Sequence, residues 1–440
     1  MKKLYIKDIL KDNFSNDNVE IYGWIAKIRK QKENIFVDLA DSTGFIQIVF
    51  EKEKLGELSF NEAKQFTVES ALLINGTIKE INSKFEVVAN SFEIIAKASM
   101  ILTPHPRSDF NIFDERFTHQ ILSNKHIYLR NPKLMAIQRF RNLMLYTVRK
   151  WFFDNNYIEI AAPVLTPVSL YDDKTVIPVK LQEQDLFLSQ CVGYYLESAS
   201  MAHEKVYNIS PSFRGEEGRS KRHLLEYWHI KAELAFGDLE DIISIVEALI
   251  KYLTEEMVKS EEVTEIFKIL GTSFCTDGLK APYPRISYDD AIKLLNESGV
   301  DIEYGKSISS NDEEILSKKY DSPVWLTGIP RKIEPFPYSI DENRNDLTMV
   351  ADLIASNGFG ELLGVAEKIY QIDMLDERMN EKGKLNDNRY EWIRETHMMG
   401  CVPHIAFGMG VERLIRWLMN IPHVRDAHPF PRVFGRKIRV

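Results

Sequence analysis

Between residues 19 and 96 the chain repeats one short pattern, in which apolar and polar residues alternate for a few positions and a glycine or small polar cluster then breaks the run. The segments are VEIYGWIAKIR, NIFVDLAD, FIQIVFEK, SALLINGTIKEI and KFEVVANSFEIIA, with Ser42-Thr43-Gly44 at one corner. Alternation gives each strand a single apolar face. Five such strands hide those faces together by closing into a small antiparallel barrel, and the OB-fold, which takes single-stranded nucleic acid or sugars on one face, is a barrel of that size.

The pattern changes after residues 101–133, which begin ILTPHPRSDFNIFDERFTHQ, hold Pro, Asp and Asn without clear periodicity and read as a linker or hinge. Beyond them, LMAIQRFRNLMLYTVRKWFFDNN has apolar residues at helical spacing and stops at Asn155-Asn156, and YIEIAAPVLTPV reads as a strand cut by Pro163. DLFLSQC, KVYNISPSFR, LLEYWHIKAELAF, SPVWLTGIP, FGELLGVAEKIY and PHIAFGMG suggest further strands, and LEDIISIVEALIKYLTEEMVKS and YDDAIKLLNESG suggest amphipathic helices. The expectation is an α+β chain, with an all-β OB barrel at 1–100 and a large mixed domain built on a broad sheet at 134–440. At 440 residues, 44% of them hydrophobic, there is material for two cores.

No apolar run approaches the ~18 residues that a membrane span needs, and Lys and Asp interrupt MKKLYIKDILKDNF before a signal-peptide core could form. The expectation is a soluble, cytoplasmic chain with no membrane partner. Cys191, Cys275 and Cys401 are too few and too widely spaced for a disulfide framework or a zinc site, and read as small buried hydrophobes. A net charge of −9 argues against indiscriminate coating of nucleic acid, yet residues 413–440 carry Arg413, Arg416, Arg425, Arg432, Arg436, Lys437 and Arg439 against one acid, Asp426. That end is suited to anions or to an acidic partner.

Two constellations stand out. Residues 212–223, SFRGEEGRSKRH, place Arg214, Arg219, Lys221 and Arg222 with Glu216 and Glu217 between two apolar strands. A hairpin loop of this kind can surround a polyanion, with guanidinium forks on phosphate oxygens and acids on a metal ion or on ligand donors; a solvated loop has the same composition. Residues 407–418, FGMGVERLIRWL, run a strand through two glycines into a helix with Arg413 on its first turn, beside the end that favours an anion. A strand-to-helix turn without a ligand would look the same. The dinucleotide fingerprint is excluded, because Arg413 stands where a third small residue must pack and too little chain follows for a βαβ unit.

Taken with the helix–strand–Pro163 segment before them, these stretches resemble the three motifs of the class II aminoacyl-tRNA synthetases, in order. Finer wording resembles the aspartyl/asparaginyl branch of subclass b: GWIAKIRKQKENIFVDLADSTGFIQIVF is similar to its anticodon-binding barrel, and PYPRISYDDAIKLL, SPVWLTGIP, GFGELLG and VRDAHPFPR are similar to landmarks of its catalytic domain. The likeness implies ATP and Mg²⁺ as cofactors, tRNA as a partner and a homodimer whose interface includes the helix around Arg139–Trp151. An apolar helix face inside a monomer core would leave the same pattern. It further implies Arg214 on the α-phosphate and the substrate carboxylate, Arg222 and His223 on the outer phosphates, Tyr227 and Arg413 sandwiching adenine, Glu216 and Gly410 in the ATP site, and Glu361 as a Mg²⁺ ligand. On the barrel it implies Phe36 stacking on the central anticodon base, with Arg29 and Gln47 bonding the same nucleotide. A strand Phe buried in the barrel core is the other reading of Phe36.

Leu196-Glu197 and Arg222-His223-Leu224-Leu225-Glu226-Tyr227-Trp228 resemble asparaginyl signatures, and the aspartyl Q-S-P-Q segment is absent. Asparagine, joined to tRNA-Asn, is therefore the first expectation, with Gly193, Glu197 and Lys368 at the amino acid. Three positions depart from the branch: Gly193 replaces a glutamine, Lys368 an arginine, and the 169–173 loop lacks a Glu-Gly pair, leaving Asp172 or Asp173 for the α-ammonium. Gly364 also stands where relatives can have a serine metal ligand. These departures leave open a paralogue that adenylates aspartate or another amino acid, as a non-discriminating aspartyl enzyme or a maker of free asparagine. An inactive tRNA-binding regulator is the remaining alternative.

Overall fold

The computed structural model describes residues 4–11, 17–81, 84–170, 173–215 and 220–439. The chain forms two compact units, Met1–Asn111 and Ile112–Val440.

In the first unit, β1 (Asn18–Lys30), β2 (Asn34–Ala40), β3 (Phe45–Glu51), β4 (Ala71–Ile81) and β5 (Lys84–Ala96) close into a barrel in the order β1-β2-β3-β5-β4. The alternation read in the sequence is the barrel's inside and outside: Ile21, Ile25, Ile35, Val37, Leu39, Ile46, Ile48, Leu72 and Ile74 are buried in one core. Closure brings backbones together at Gly76, where a Cβ would stand 2.6 Å from the Val88 carbonyl oxygen. A helix, Lys52–Ala63, lies between β3 and β4 and adds Phe60 and Ala63 to the core. Its sequence, KEKLGELSFNEA, has too few apolar positions to declare a helical face.

The second unit is built on an eight-stranded sheet of β6 (Ile158–Glu159), β10 (Lys205–Phe213), β11 (Glu226–Ala235), β12 (Arg285–Ser287), β13 (Val324–Thr327), β14 (Val350–Ala355), β15 (Gly360–Lys368) and β16 (His404–Gly410), in the order β12-β13-β14-β15-β16-β11-β10-β6. A small sheet of β7 (Leu165–Thr166), β8 (Ile177–Leu181) and β9 (Gln184–Leu188) stands beside it. The helix Pro132–Asp154 is capped by Asn131, whose side chain accepts from the Lys133 N–H, and has Pro132 at its first position. Leu134, Ile137, Phe140, Arg141, Met144, Val148 and Trp151 recur every three or four residues and are buried. Arg141 is among them because it donates to Glu412 at 2.7 Å, and Glu412 also accepts from the Trp228 N–H at 2.9 Å. That pair ties the long helix to β11 and to the helix Val411–Leu418.

YIEIAAPVLTPV is not one strand but the two-residue pieces β6 and β7, since Pro163 and Pro167 offer no ladder N–H. Of the cysteines, which are all free, Cys191 is buried whereas Cys275 and Cys401 are only half-buried, so the expected burial holds for one of the three. Among the described residues no helix is long and apolar enough to cross a membrane.

Candidate active site

β11, β16 and β15 are adjacent in the large sheet, and a cavity of about 610 Å³ opens over them. Period-two geometry turns Tyr227, His229, Lys231 and Glu233 of β11 to its wall, and Arg214, Arg222, His223, Glu361, Gly410 and Arg413 line it as well. The charged hairpin and the last long helix therefore share one cavity. Glu216 lies outside the described residues, as do Tyr171 and Asp172.

Beside the C-terminal end of β16, arginines and carboxylates interlock. Arg413 donates to Glu361 Oε1 at 3.0 Å and to its carbonyl oxygen at 3.3 Å, while its Nη2 stands 3.5 Å from His223 Nε2. Arg222 reaches Glu361 Oε2 at 3.4 Å and Glu313 more closely still, and Glu313 also accepts from the Glu361 N–H at 2.6 Å. Burial pushes the Glu361 carboxyl up, but Arg413, Arg222 and Arg214 outweigh it and hold the group below the usual carboxylate range. Its acidic neighbours go the other way. Burial and the Glu361 charge raise Asp352 well above normal and push Glu334 up to about 7. Glu361 and Asp352 bring carboxylates from adjacent strands to one cavity wall, and oxygen donors of this kind suit Mg²⁺. Gly364 has no room for a ligand side chain without movement, because a Cβ there would stand 2.8 Å from Asp352 Oδ1. Asp352, Glu334 and Glu313 were not singled out in the sequence, where Glu313 sits in the acidic run NDEE and the other two are isolated acids.

At the other end of β16 the charges differ. Lys368, paired in register with His404, has its Nζ 3.5 Å from Glu197 and 3.8 Å from Glu233. His404 Nε2 lies 3.5 Å and 3.4 Å from the same two acids, and His397 Nδ1 lies 3.7 Å from Glu197. Glu197 is 2% exposed and sits behind Lys368 rather than on the cavity wall, so it can position Lys368. Burial raises the Glu197 carboxyl, but His404, Lys368 and His397 reverse this and keep it ionised. Glu233, also buried, is pushed up instead. Gly193 and Lys368 both reach the cavity wall, as does Asp173, which accepts from Lys384 at 2.6 Å. Lys231 escaped the sequence reading; the signal available was its place on the same strand face as Tyr227 and Glu233.

On the barrel, Phe36 alternates with buried Ile35 and Val37 and so faces outward, half-buried, which removes the core reading. Arg29 Cζ lies 5.2 Å from the Phe36 ring centroid, and Arg29 donates to Gln47 Oε1 at 2.8 Å. Gln47 in turn donates to Glu86 at 2.8 Å. The three predicted residues thus form one small outward patch, with Glu86 as a fourth member.

A family profile described as tRNA synthetases class II (D, K and N) matches residues 118–433, and one described as an OB-fold nucleic acid binding domain matches residues 19–95. The chain belongs to the class II tRNA synthetases. Asparagine--tRNA ligases of Thermococcus gammatolerans and Thermococcus kodakarensis are each 32% identical to this synthetase, with 99% of both chains covered. The asparaginyl-tRNA synthetase of Pyrococcus horikoshii complexed with asparaginyl-adenylate superposes with a TM-score of 0.91 at 30% identity over the whole of both chains. That of Entamoeba histolytica, also complexed with asparaginyl-adenylate, gives 0.84 at 27% identity, covering 99% of this synthetase and 98% of its own chain.

Proposed function

We propose that the chain joins asparagine to tRNA-Asn in two steps driven by ATP. In the first, an α-carboxylate oxygen of the amino acid bonds to the α-phosphorus as the bond to pyrophosphate breaks; in the second, a ribose hydroxyl of the tRNA end displaces AMP from the adenylate. Neither step needs a covalent bond to the protein. Arg214 neutralises charge on the α-phosphate and holds the attacking carboxylate, Arg222 and His223 take the outer phosphates, and adenine lies between Tyr227 and Arg413. Gly410, at the N-terminus of Val411–Leu418, lets the nucleotide approach the backbone. Glu361, with Asp352, would hold Mg²⁺, which supplies further charge neutralisation on the phosphates.

The observation that carries this reading is the convergence of Arg214, Arg222, His223, Glu361 and Arg413 on one cavity. The same intact cluster disfavours a silent regulator. Phe36, Arg29 and Gln47 would read the central anticodon base on the barrel. A homodimer is supported by Tyr146 at 65% and Phe153 at 79% exposure on the long helix, large apolar side chains that a second copy would cover. The cytoplasm, where tRNA is charged, is the compartment this activity requires. ATP–pyrophosphate exchange with asparagine, followed by transfer to tRNA, tests the proposal; exchange that no amino acid supports would end it.

A further inference from the structure

The ring of His397, 5% exposed, lies between two backbone carbonyls: Nδ1 stands 3.0 Å from the Ile393 oxygen and Nε2 3.0 Å from the Ile369 oxygen. A carbonyl oxygen can only accept, and a neutral imidazole has only one N–H to give. Either neutral tautomer would therefore set a nitrogen lone pair against an oxygen lone pair in a buried place, and the ring avoids this by carrying both protons. Two further features favour the cation. Glu197 Oε1 lies 3.7 Å from Nδ1, and His397 occupies the last turn of the helix Glu391–Met398, the end at which a positive charge is favoured. Burial alone would lower its pKa, but Cys401, Glu197 and the Ile393 carbonyl outweigh burial and raise it from 6.5 to about 9.

Two partners of this ring lead to Lys368. Ile369 is the residue after Lys368, at the end of β15, so the bond to its carbonyl fixes the backbone from which the Lys368 side chain leaves. Glu197 Oε2 lies 3.5 Å from Lys368 Nζ, so the carboxylate that the imidazolium faces is the one that holds the ammonium. His404 approaches the same carboxylate from β16 at 3.5 Å, Glu233 of β11 lies 3.8 Å from the ammonium, and Cys401 Sγ stands 3.8 Å from His404 Nδ1. Lys368 lines the cavity, whereas His397 and Glu197 stand behind it. We propose that His397 is a positioning residue for the amino acid, an imidazolium that sets Lys368 on the cavity wall through the Ile369 carbonyl and the Glu197 carboxylate.

The proposal rests on the adenylating activity proposed above, and two readouts on the full-length chain keep them apart. With the histidines labelled with ¹⁵N, the signals absent from His397→Gln and His397→Arg identify this ring; both of its nitrogens should report as protonated at about pH 8, where an ordinary histidine is neutral. In pyrophosphate exchange with ATP, Mg²⁺ and L-asparagine, His397→Gln should raise the KM for asparagine on the order of tenfold with the KM for ATP little altered. His397→Arg, which keeps the charge and offers at least two donors, should restore most of it. A neutral ring at that pH overturns the proposal. So does a His397→Gln enzyme with an unchanged KM for asparagine, or one in which both KM values rise together and His397→Arg gives no rescue, as a merely structural role would produce. Exchange that no amino acid supports in the parent overturns the activity and the positioning role with it, while the ring-nitrogen signals still read the charge of His397 itself.

Discussion

The two ends of β16 show the same fold solving two electrostatic problems differently. Past Gly410 the cations are arginines, permanently charged and planar, interlocked with Glu361 and Glu313. Around His404 they are a lysine and two histidines, set against Glu197 and Glu233 in a buried cluster. Triphosphate is the same ligand for every enzyme of the family, so its end has no reason to change. On the proposed reading the amino-acid end must choose a ligand, and there Gly193 offers no side chain and Lys368 cannot form a bidentate fork. On that reading nucleotide chemistry and amino-acid choice are separable on one sheet.

The largest expected effect strikes the nucleotide end. Arg214→Ala should remove about 3 kcal/mol or more of transition-state stabilisation, lowering exchange by at least about a hundredfold while the melting temperature stays near that of the parent. An active Arg214→Ala enzyme would refute the assignment of that end. Gly408→Ala should instead strike the amino-acid end, because the new Cβ would meet Lys231 Cε at 2.8 Å and His229 Nε2 at 3.1 Å. Displacing Lys231 should cost about 2 kcal/mol, read as a raised KM for the amino acid with the KM for ATP little altered. Equal rises in both constants would mean that the two ends are not separable.

A third comparison sets the barrel against the catalytic unit. Phe36→Ala should weaken tRNA aminoacylation by about 1–3 kcal/mol, the worth of one stacked base, and leave pyrophosphate exchange intact. Parallel loss of both activities would point to a damaged fold rather than a lost contact.

What the sequence made legible follows from how local each signal was. The barrel strands and most of the large sheet announced themselves by alternation, and the cavity's arginines by density of charge between apolar strands. The helix Gly193–His203 did not, since GYYLESASMAH opens on a glycine and two aromatics and buries Glu197 on its inner face. Asp352 was hidden because an acid on a strand acquires meaning only when the neighbouring strand sets the charge of Glu361 near it. Lys231 was hidden for a related reason: a lysine in a strand reads as solvent-facing until both of its faces are known to be covered. Pairwise meaning of this kind lives in tertiary contact.

The smallest expected effect tests whether the histidine-rich end carries the charges assigned to it. Burial alone would lower the His404 pKa, but Cys401, Glu197 and Glu233 outweigh it and raise the group from 6.5 to about 10. A histidine whose folded pKa is raised adds stability that is whole below its unfolded value and is lost as pH climbs toward the folded one. Glu197 has the opposite sense, held below its ordinary value, so its share is lost only in strong acid. The melting temperature should therefore drift downward between about pH 6.5 and pH 10, and His404→Asn, less stable at neutral pH, should show a flatter profile over the same span. A parent profile that is level or rising, or a variant with the same slope, would mean that His404 is neutral in the folded chain and that Lys368 and His397 balance the two acids.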